Sequence, residues 1–305
     1  MSERSSSAYL RIKLSGTSWT KEKEIGHGCF GKVFQGRLED GTPIAAKQVK
    51  LEASSMDQMH SLAERVAKEL AILESVTGSH KNIVRYYGFS ISVRSKSIYF
   101  LMQHIEGPTL DSYVKSMAGA MSENEIRVIT RQLLSALVFV HAKGIVHKDV
   151  KPDNVLIRSS DNVVKLIDFG IAGICGHKRD SIGPIAYSAP EITDESLPQS
   201  TKCDSFSLGL TVYFMATKSH PLMNGGAEAL MLALMPMMLA IKMRSQEPLP
   251  DMDSSKFSSA LCSFYKRSTH KHPSNRSSCS ELLFKSEFMT GVRENTQDGQ
   301  SCAIQ

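Results

Sequence analysis

His147-Lys148-Asp149-Val150-Lys151-Pro152-Asp153-Asn154-Val155-Leu156 is followed, after a short interval, by Lys165-Leu166-Ile167-Asp168-Phe169-Gly170. These two stretches hold a carboxylate able to orient a hydroxyl and take its proton (Asp149), a lysine suited to moving negative charge (Lys151), and oxygen donors of the kind Mg²⁺ prefers (Asn154, Asp168). The nearby His147 suits such a hard cation less well than the oxygens do. Phosphoryl transfer needs this set gathered in one place, and core packing alone gives no reason for its order.

Upstream, Gly26-His27-Gly28-Cys29-Phe30-Gly31-Lys32-Val33 supplies glycines where backbone N–H groups must approach phosphate oxygens without hindrance from Cβ atoms. Such glycines also open dinucleotide-binding units, but those require a helix directly afterwards, and Val33-Phe34-Gln35-Gly36 continues as strand. Ile44-Ala45-Ala46-Lys47 then places a lysine in a β-run; the plain alternative is a solvated strand lysine. The following helix offers Glu69 as its carboxylate partner, with Glu64 as rival, and a lysine so held is a positioned charge for the α- and β-phosphates.

Val33 to Leu38 and Pro43 to Val49 read as strands joined through the turn Glu39-Asp40-Gly41. A helix is expected over Met56 to Val76, with Leu62, Val66, Leu70 and Leu73 on one face. Ile83 to Tyr87 and Ile98 to Met102 read as further strands. Helical patterns dominate from Leu110, notably Glu123 to Lys143 and Asp204 to Thr217. Strands first and helices afterwards predict an α+β chain of two unequal lobes: 19–102, a joint at 103–108, and 109–290. Residues 1–18 read as a Ser-rich leader with one weak strand at Tyr9 to Leu14, and residues 291–305 as a polar tail.

A chain of 305 residues buries a substantial core. Its net charge of +5 is scattered among acidic residues, which excludes nucleic acid as the main partner. The six cysteines show no C-x-x-C pairing, so reduced thiols in a cytosolic setting are expected. Met1 to Ser7 lacks an apolar stretch and a glycine at position 2, which argues against a signal peptide and N-myristoylation and for a cytoplasmic protein.

Taken together, these signatures resemble the eukaryotic protein kinases over residues 19 to about 290. The likeness continues in Ala189-Pro190-Glu191, Asp204-Ser205-Phe206-Ser207-Leu208-Gly209 and Pro273-Ser274-Asn275-Arg276. The resemblance implies a bilobal kinase fold, a small β-rich lobe with one major helix before a larger helical lobe. It implies ATP and Mg²⁺ as cofactors, Asp149, Lys151, Lys47 and Glu69 as catalytic residues, and Asn154 and Asp168 as metal ligands. An adenine pocket would have Ile25, Gly26, Gly28 and Gly31 at the phosphate loop, Val33 and Ala45 as ceiling, Leu156 as floor, Met102 as gatekeeper, and backbone groups of Gln103 and Ile105. Ordinary core packing is the alternative for each of those aliphatics. Glu191 and Arg276 would form a buried ion pair, and Asp204 would brace the catalytic loop.

Asp149-Val150-Lys151-Pro152-Asp153-Asn154 is similar to the serine/threonine type. Trp19, with His80-Lys81-Asn82-Ile83-Val84-Arg85-Tyr86-Tyr87-Gly88, is similar to mitogen-activated protein kinase kinase kinases. Protein substrates and upstream regulators are the implied partners. Two departures stand out. Lys148 replaces the usual arginine and lacks its bidentate fork, and Pro184 replaces a threonine, as in tyrosine kinases. A pseudokinase or nucleotide-binding scaffold and a dual-specificity or tyrosine kinase therefore stay open as alternatives.

Four further features are candidates of their own. Ser181 is the best phosphosite between Asp168 and Glu191, where a phosphate would pair with Lys148 or Arg179. Cys302-Ala303-Ile304-Gln305 fits a prenylation box at Cys302, which by itself would give only weak membrane contact. The apolar run Ala229 to Ile241 reads as core helix, with a methionine-lined docking surface as alternative. Cys29, at the tip of the glycine turn, reads as inert against a redox-sensitive alternative.

Overall fold

The computed structural model describes residues 17–28, 31–52, 55–177, 185–193, 197–221 and 249–291. Ser181, Arg179, Pro184, Cys29, Cys302, the leader up to residue 16 and the apolar run 229–241 lie outside them. Contacts divide the chain into two units, one formed by residues up to 79 with 84–105, the other by 80–83 with 106 onward.

The first unit is an antiparallel sheet of five strands in the order β1-β2-β3-β5-β4. The strands are β1 (Trp19–Gly28), β2 (Gly31–Leu38), β3 (Pro43–Lys50), β4 (Tyr86–Ser92) and β5 (Ser97–Gln103). The turn between β2 and β3 forms as the sequence predicts: Gly41 has φ +82° and Asp40 Oδ1 accepts from Thr42 N–H at 2.8 Å. Phe34, Ile44, Ala46, Tyr99 and Leu101 pack together, and Trp19 packs against them. β1 is a strand that the sequence pattern does not announce, because Thr20 to Ile25 are all exposed and no alternation marks an edge strand of this kind. The strand expected from Ile83 begins only at Tyr86; Ile83 instead makes an isolated bridge to Leu166 in the second unit.

Helix α1 (Met56–Val76) has the predicted limits. Ser55 caps it, its hydroxyl accepting from Gln58 N–H at 3.2 Å, and Leu70, Ile72, Leu73 and Val76 are buried. Leu62 and Val66 are only half-buried, so the apolar face is engaged mainly at the C-terminal end.

The second unit contains α2 (Leu110–Ser116), α3 (Glu123–Ala142), α4 (Lys202–Thr217), α5 (Ser259–Ser268), α6 (Cys279–Lys285) and α7 (Glu287–Thr290). Two small antiparallel ladders join β6 (Ile145–Val146) to β9 (Gly173–Ile174) and β7 (Val155–Ile157) to β8 (Val164–Leu166). Every residue of α4 from Cys203 to Ala216 is buried, so it forms the axis of this unit. Its hydroxyls bond back along the helix, Ser207 to Cys203 O at 3.1 Å and Thr211 to Ser207 O at 2.9 Å. A Cβ at Gly209 would lie 2.3 Å from Ser268 Oγ, so the glycine permits α5 its close approach. Residues 80–83 belong here although they fall numerically within 19–102: Asn82 Nδ2 donates to Val164 O and to Gln132 Oε1, both at 2.8 Å. Among the described residues no helix is long and apolar enough to cross a membrane.

Candidate active site

In the first unit, β3 carries Lys47 to the middle of the sheet and α1 brings Glu69 to meet it. Lys47 Nζ lies 2.9 Å from Glu69 Oε1, with both side chains nearly buried. The rival Glu64 instead faces His60 at 3.2 Å on the exposed side of the helix. A lysine and carboxylate so enclosed are held in one geometry, which an exposed pair would not be.

Strand register places the other predicted residues of this unit. Gly26 pairs with Val33, Val33 with Lys47, and Ala45 with Met102, so these five positions share one face of the sheet. Met102 and Gln103 end β5, and Gln103 N–H is already used by Arg85 O at 2.8 Å. Ile105 is buried, whereas Ile25 is exposed. At the glycine turn Gly28 pairs with Gly31. Gly31 has φ +122°, and a Cβ there would lie 2.2 Å from Gln48 O, so no other residue fits. Gly26 is different: an added Cβ would meet nothing closer than Val33 at 3.9 Å, so packing does not demand this glycine.

The second unit assembles the other predicted residues on the segment after β6. Asp149 Oδ1 and Oδ2 accept from Lys151 Nζ at 2.9 and 2.8 Å. Asn154 Nδ2 donates to Asp149 Oδ2 at 2.6 Å and to Asp149 O at 2.9 Å. A short 3₁₀ turn, Pro152–Asn154, makes this possible by folding Asn154 back over the loop. Leu156 follows on β7, half-buried, bridging to Thr109.

The loop is clamped from behind. Asp204, fully buried in the first turn of α4, accepts from His147 N–H and Lys148 N–H, each at 2.8 Å, and meets His141 Nε2 at 2.8 Å. Burial by itself would raise the Asp204 carboxyl, but the His141 contact outweighs it and holds the group below its ordinary range. His141 is correspondingly held above its own range, burial being outweighed by Cys279 and Asp204. Sequence reasoning missed His141, since a single histidine at the end of an amphipathic helix carries no signal of its partner.

His147 is neutral by geometry and by burial. Its Nε2 faces Ile167 O at 3.1 Å and so carries the proton, while Nδ1 accepts from Asp149 N–H at 3.3 Å. Complete burial pushes its pKa down. The ring meets Phe169 edge-on at 4.7 Å between centroids. Next to it, Asp168 has φ +61° and Lys148 φ +66°, left-handed conformations that cost energy and are retained where a site needs a particular side-chain direction. Asp168 Oδ1 accepts from Gly170 N–H at 3.1 Å.

The donor set fits Mg²⁺ delivered with a nucleotide. Among the described residues no three His, Cys, Asp or Glu side chains gather into a cage that would hold a metal alone. Mg²⁺ is ordinarily held by one or two protein oxygens together with water and substrate phosphates, and Asp168 and Asn154 offer oxygens of that kind.

The protein kinase domain model matches residues 19–289. Serine/threonine-protein kinase ppk11 of Schizosaccharomyces pombe is 31% identical, over 89% of this chain and 81% of its own length. Mitogen-activated protein kinase kinase kinase YODA of Arabidopsis thaliana is 31% identical, over 88% of this chain, and human mitogen-activated protein kinase kinase kinase 19 is 30% identical, over 84%. The chain spans only 29% and 19% of the length of those two proteins. With a five-stranded sheet in one unit and helices in the other, and with a family match over nearly its whole length, the chain belongs to the protein kinase family, in its serine/threonine branch.

Proposed function

We propose that this chain is a catalytically active kinase in which Asp149 orients the attacking serine or threonine hydroxyl of a protein substrate and accepts its proton. Lys151, already on both oxygens of Asp149, lies beside the group whose charge changes during transfer. Lys47, steadied by Glu69, engages the α- and β-phosphates of ATP. Asp168 and Asn154 would hold Mg²⁺, which when bound neutralises phosphate charge. Val33, Ala45 and Met102, which share one face of the sheet, would line one side of the adenine. The names of its relatives support a place in a signalling cascade with upstream regulators.

The observation that carries this reading is the fixing of Asp149 by three independent holds: Lys151, Asn154, and the Asp204 clamp on the backbone just before it. Preorganisation of this kind contributes to rate, and a merely structural loop has no need of it. The test is purified protein with Mg-ATP and mixed Ser, Thr and Tyr peptides, beside Asp149→Asn. Phosphate on Ser or Thr that falls at least about a hundredfold in the variant is expected. Nucleotide binding without transfer would make the chain a pseudokinase and overturn the proposal, and phosphate on tyrosine would overturn its specificity.

A further inference from the structure

Thr77 ends α1, and its hydroxyl does two things at once. Oγ1 accepts from Tyr86 N–H at 2.7 Å and donates to Tyr86 O at 3.1 Å, while Thr77 N–H closes the helix on Leu73 O. Tyr86 is the first residue of β4, an outermost strand of the sheet, and pairs with Met102 on its other side. One side chain therefore takes the place of a missing strand neighbour and fastens the helix end to the sheet.

The rest of α1 is held unevenly. Residues 56–61 are all exposed, and the buried side chains begin at Leu70. Glu69 lies eight residues from Thr77, about 12 Å along the helix. At that distance from the fastened end, a small change of angle moves its carboxylate out of reach of Lys47. The Tyr86 ring lies near the same helix: burial first, and then the Glu74 and Glu69 carboxylates, raise its phenol.

We propose that Thr77 is a positioning residue for phosphoryl transfer, its hydroxyl bracket on Tyr86 setting the helix angle at which Glu69 meets Lys47. This inference rests on the assignment of Lys47 and Glu69 to ATP made above. Thr77→Val keeps the shape and removes both hydrogen bonds, and Thr77→Ser keeps the bonds and removes a methyl group.

The experiment measures kcat and KM for ATP in wild type, Thr77→Val, Thr77→Ser, Glu69→Gln and the Thr77→Val/Glu69→Gln pair, with hydrogen exchange across residues 62–77. Thr77→Val is expected to lower kcat about tenfold, with KM for ATP changing less than about threefold and faster exchange in α1. Thr77→Ser is expected to restore kcat. In the Glu69→Gln background the valine should add less than about twofold, because the pair it positions is already lost. Equal losses in both backgrounds, or no recovery with serine, would overturn the role. If Glu69→Gln itself leaves kcat and KM unchanged, the assignment of Lys47 and Glu69 is what has failed. Should the valine protein not fold, Thr77→Ala against Thr77→Ser makes the same comparison.

Discussion

His220 shows how far a single side chain can tie stability to pH. Its Nε2 donates to Ala186 O at 2.7 Å and its ring stands edge-on to Tyr187 at 5.5 Å. Burial pushes its pKa down to about 4. The unfolded imidazole titrates near 6.5, so the unfolded chain takes up a proton in a range where the folded chain does not. This contribution is fully present above about pH 6.5 and is lost as pH falls toward 4. Between pH 7.5 and 5 the loss should amount to about 2 kcal/mol. Urea unfolding of wild type and His220→Phe at both values should show that component in the wild type only. Parallel pH slopes for the two proteins would contradict it. No local pattern announces this group, since the carbonyl it meets is thirty-four residues away. Glu69 was legible because its distance from the apolar positions Ile72 and Leu73 placed it on the inward side of a helix whose limits the same spacing had already set.

Among the elements, the sequence was readable where a periodic apolar face runs, as in α1 and α3, whose caps at Ser55 and at the Ser122 and Glu125 capping box the structure adds. It was unreadable where pairing alone makes the element. The two-residue ladder of β6 with β9 leaves no period to detect, and β1 exists because its backbone pairs with β2 while its side chains from Thr20 to Ile25 stay exposed. What secures β1 is local and specific: Trp19 meets Tyr99 at 5.2 Å, and its ring occupies the space beside Gly36, where a Cβ would lie 2.7 Å from it and 2.4 Å from Thr20 O. Gly36→Ala should therefore displace Trp19, at a cost of about 1–3 kcal/mol. Trp19 is the chain's single tryptophan, so its emission should shift to the red in the variant. Unchanged emission and an unchanged unfolding midpoint would mean that the strand yields without cost. Helix ends allow a simpler check. Ser122→Ala removes the capping hydroxyl of α3 and should lower stability by about 1 kcal/mol by denaturant titration, with Ser122→Asp close to wild type.

For the molecule as a whole, most of the chemistry-bearing residues were legible as motifs, whereas the means of holding them were legible only through resemblance. Arg276 is the clearest case. Its guanidinium is buried and all five of its N–H groups are used: two on Glu191 at 2.6 and 3.0 Å, and one each on His270 O, Lys202 O and Lys271 O. It also lies 4.9 Å from the Phe206 ring of α4. One side chain thus joins the Pro190–Thr193 turn, the first residue of α4 and the loop after α5, and α4 is the helix whose Asp204 holds the catalytic loop. Removing Arg276 breaks all five of these bonds and takes the guanidinium from the nearly buried Glu191 carboxylate, so Arg276→Met should destabilise the second unit by about 3–5 kcal/mol. Arg276→Lys should recover little of that, because an ammonium has three donors and no planar fork. Enclosed as it is, the pair should also be insensitive to salt. Denaturant unfolding of the three proteins in low and high salt checks each point, and a lysine variant as stable as wild type would show that charge alone, and not the fork, holds these segments together.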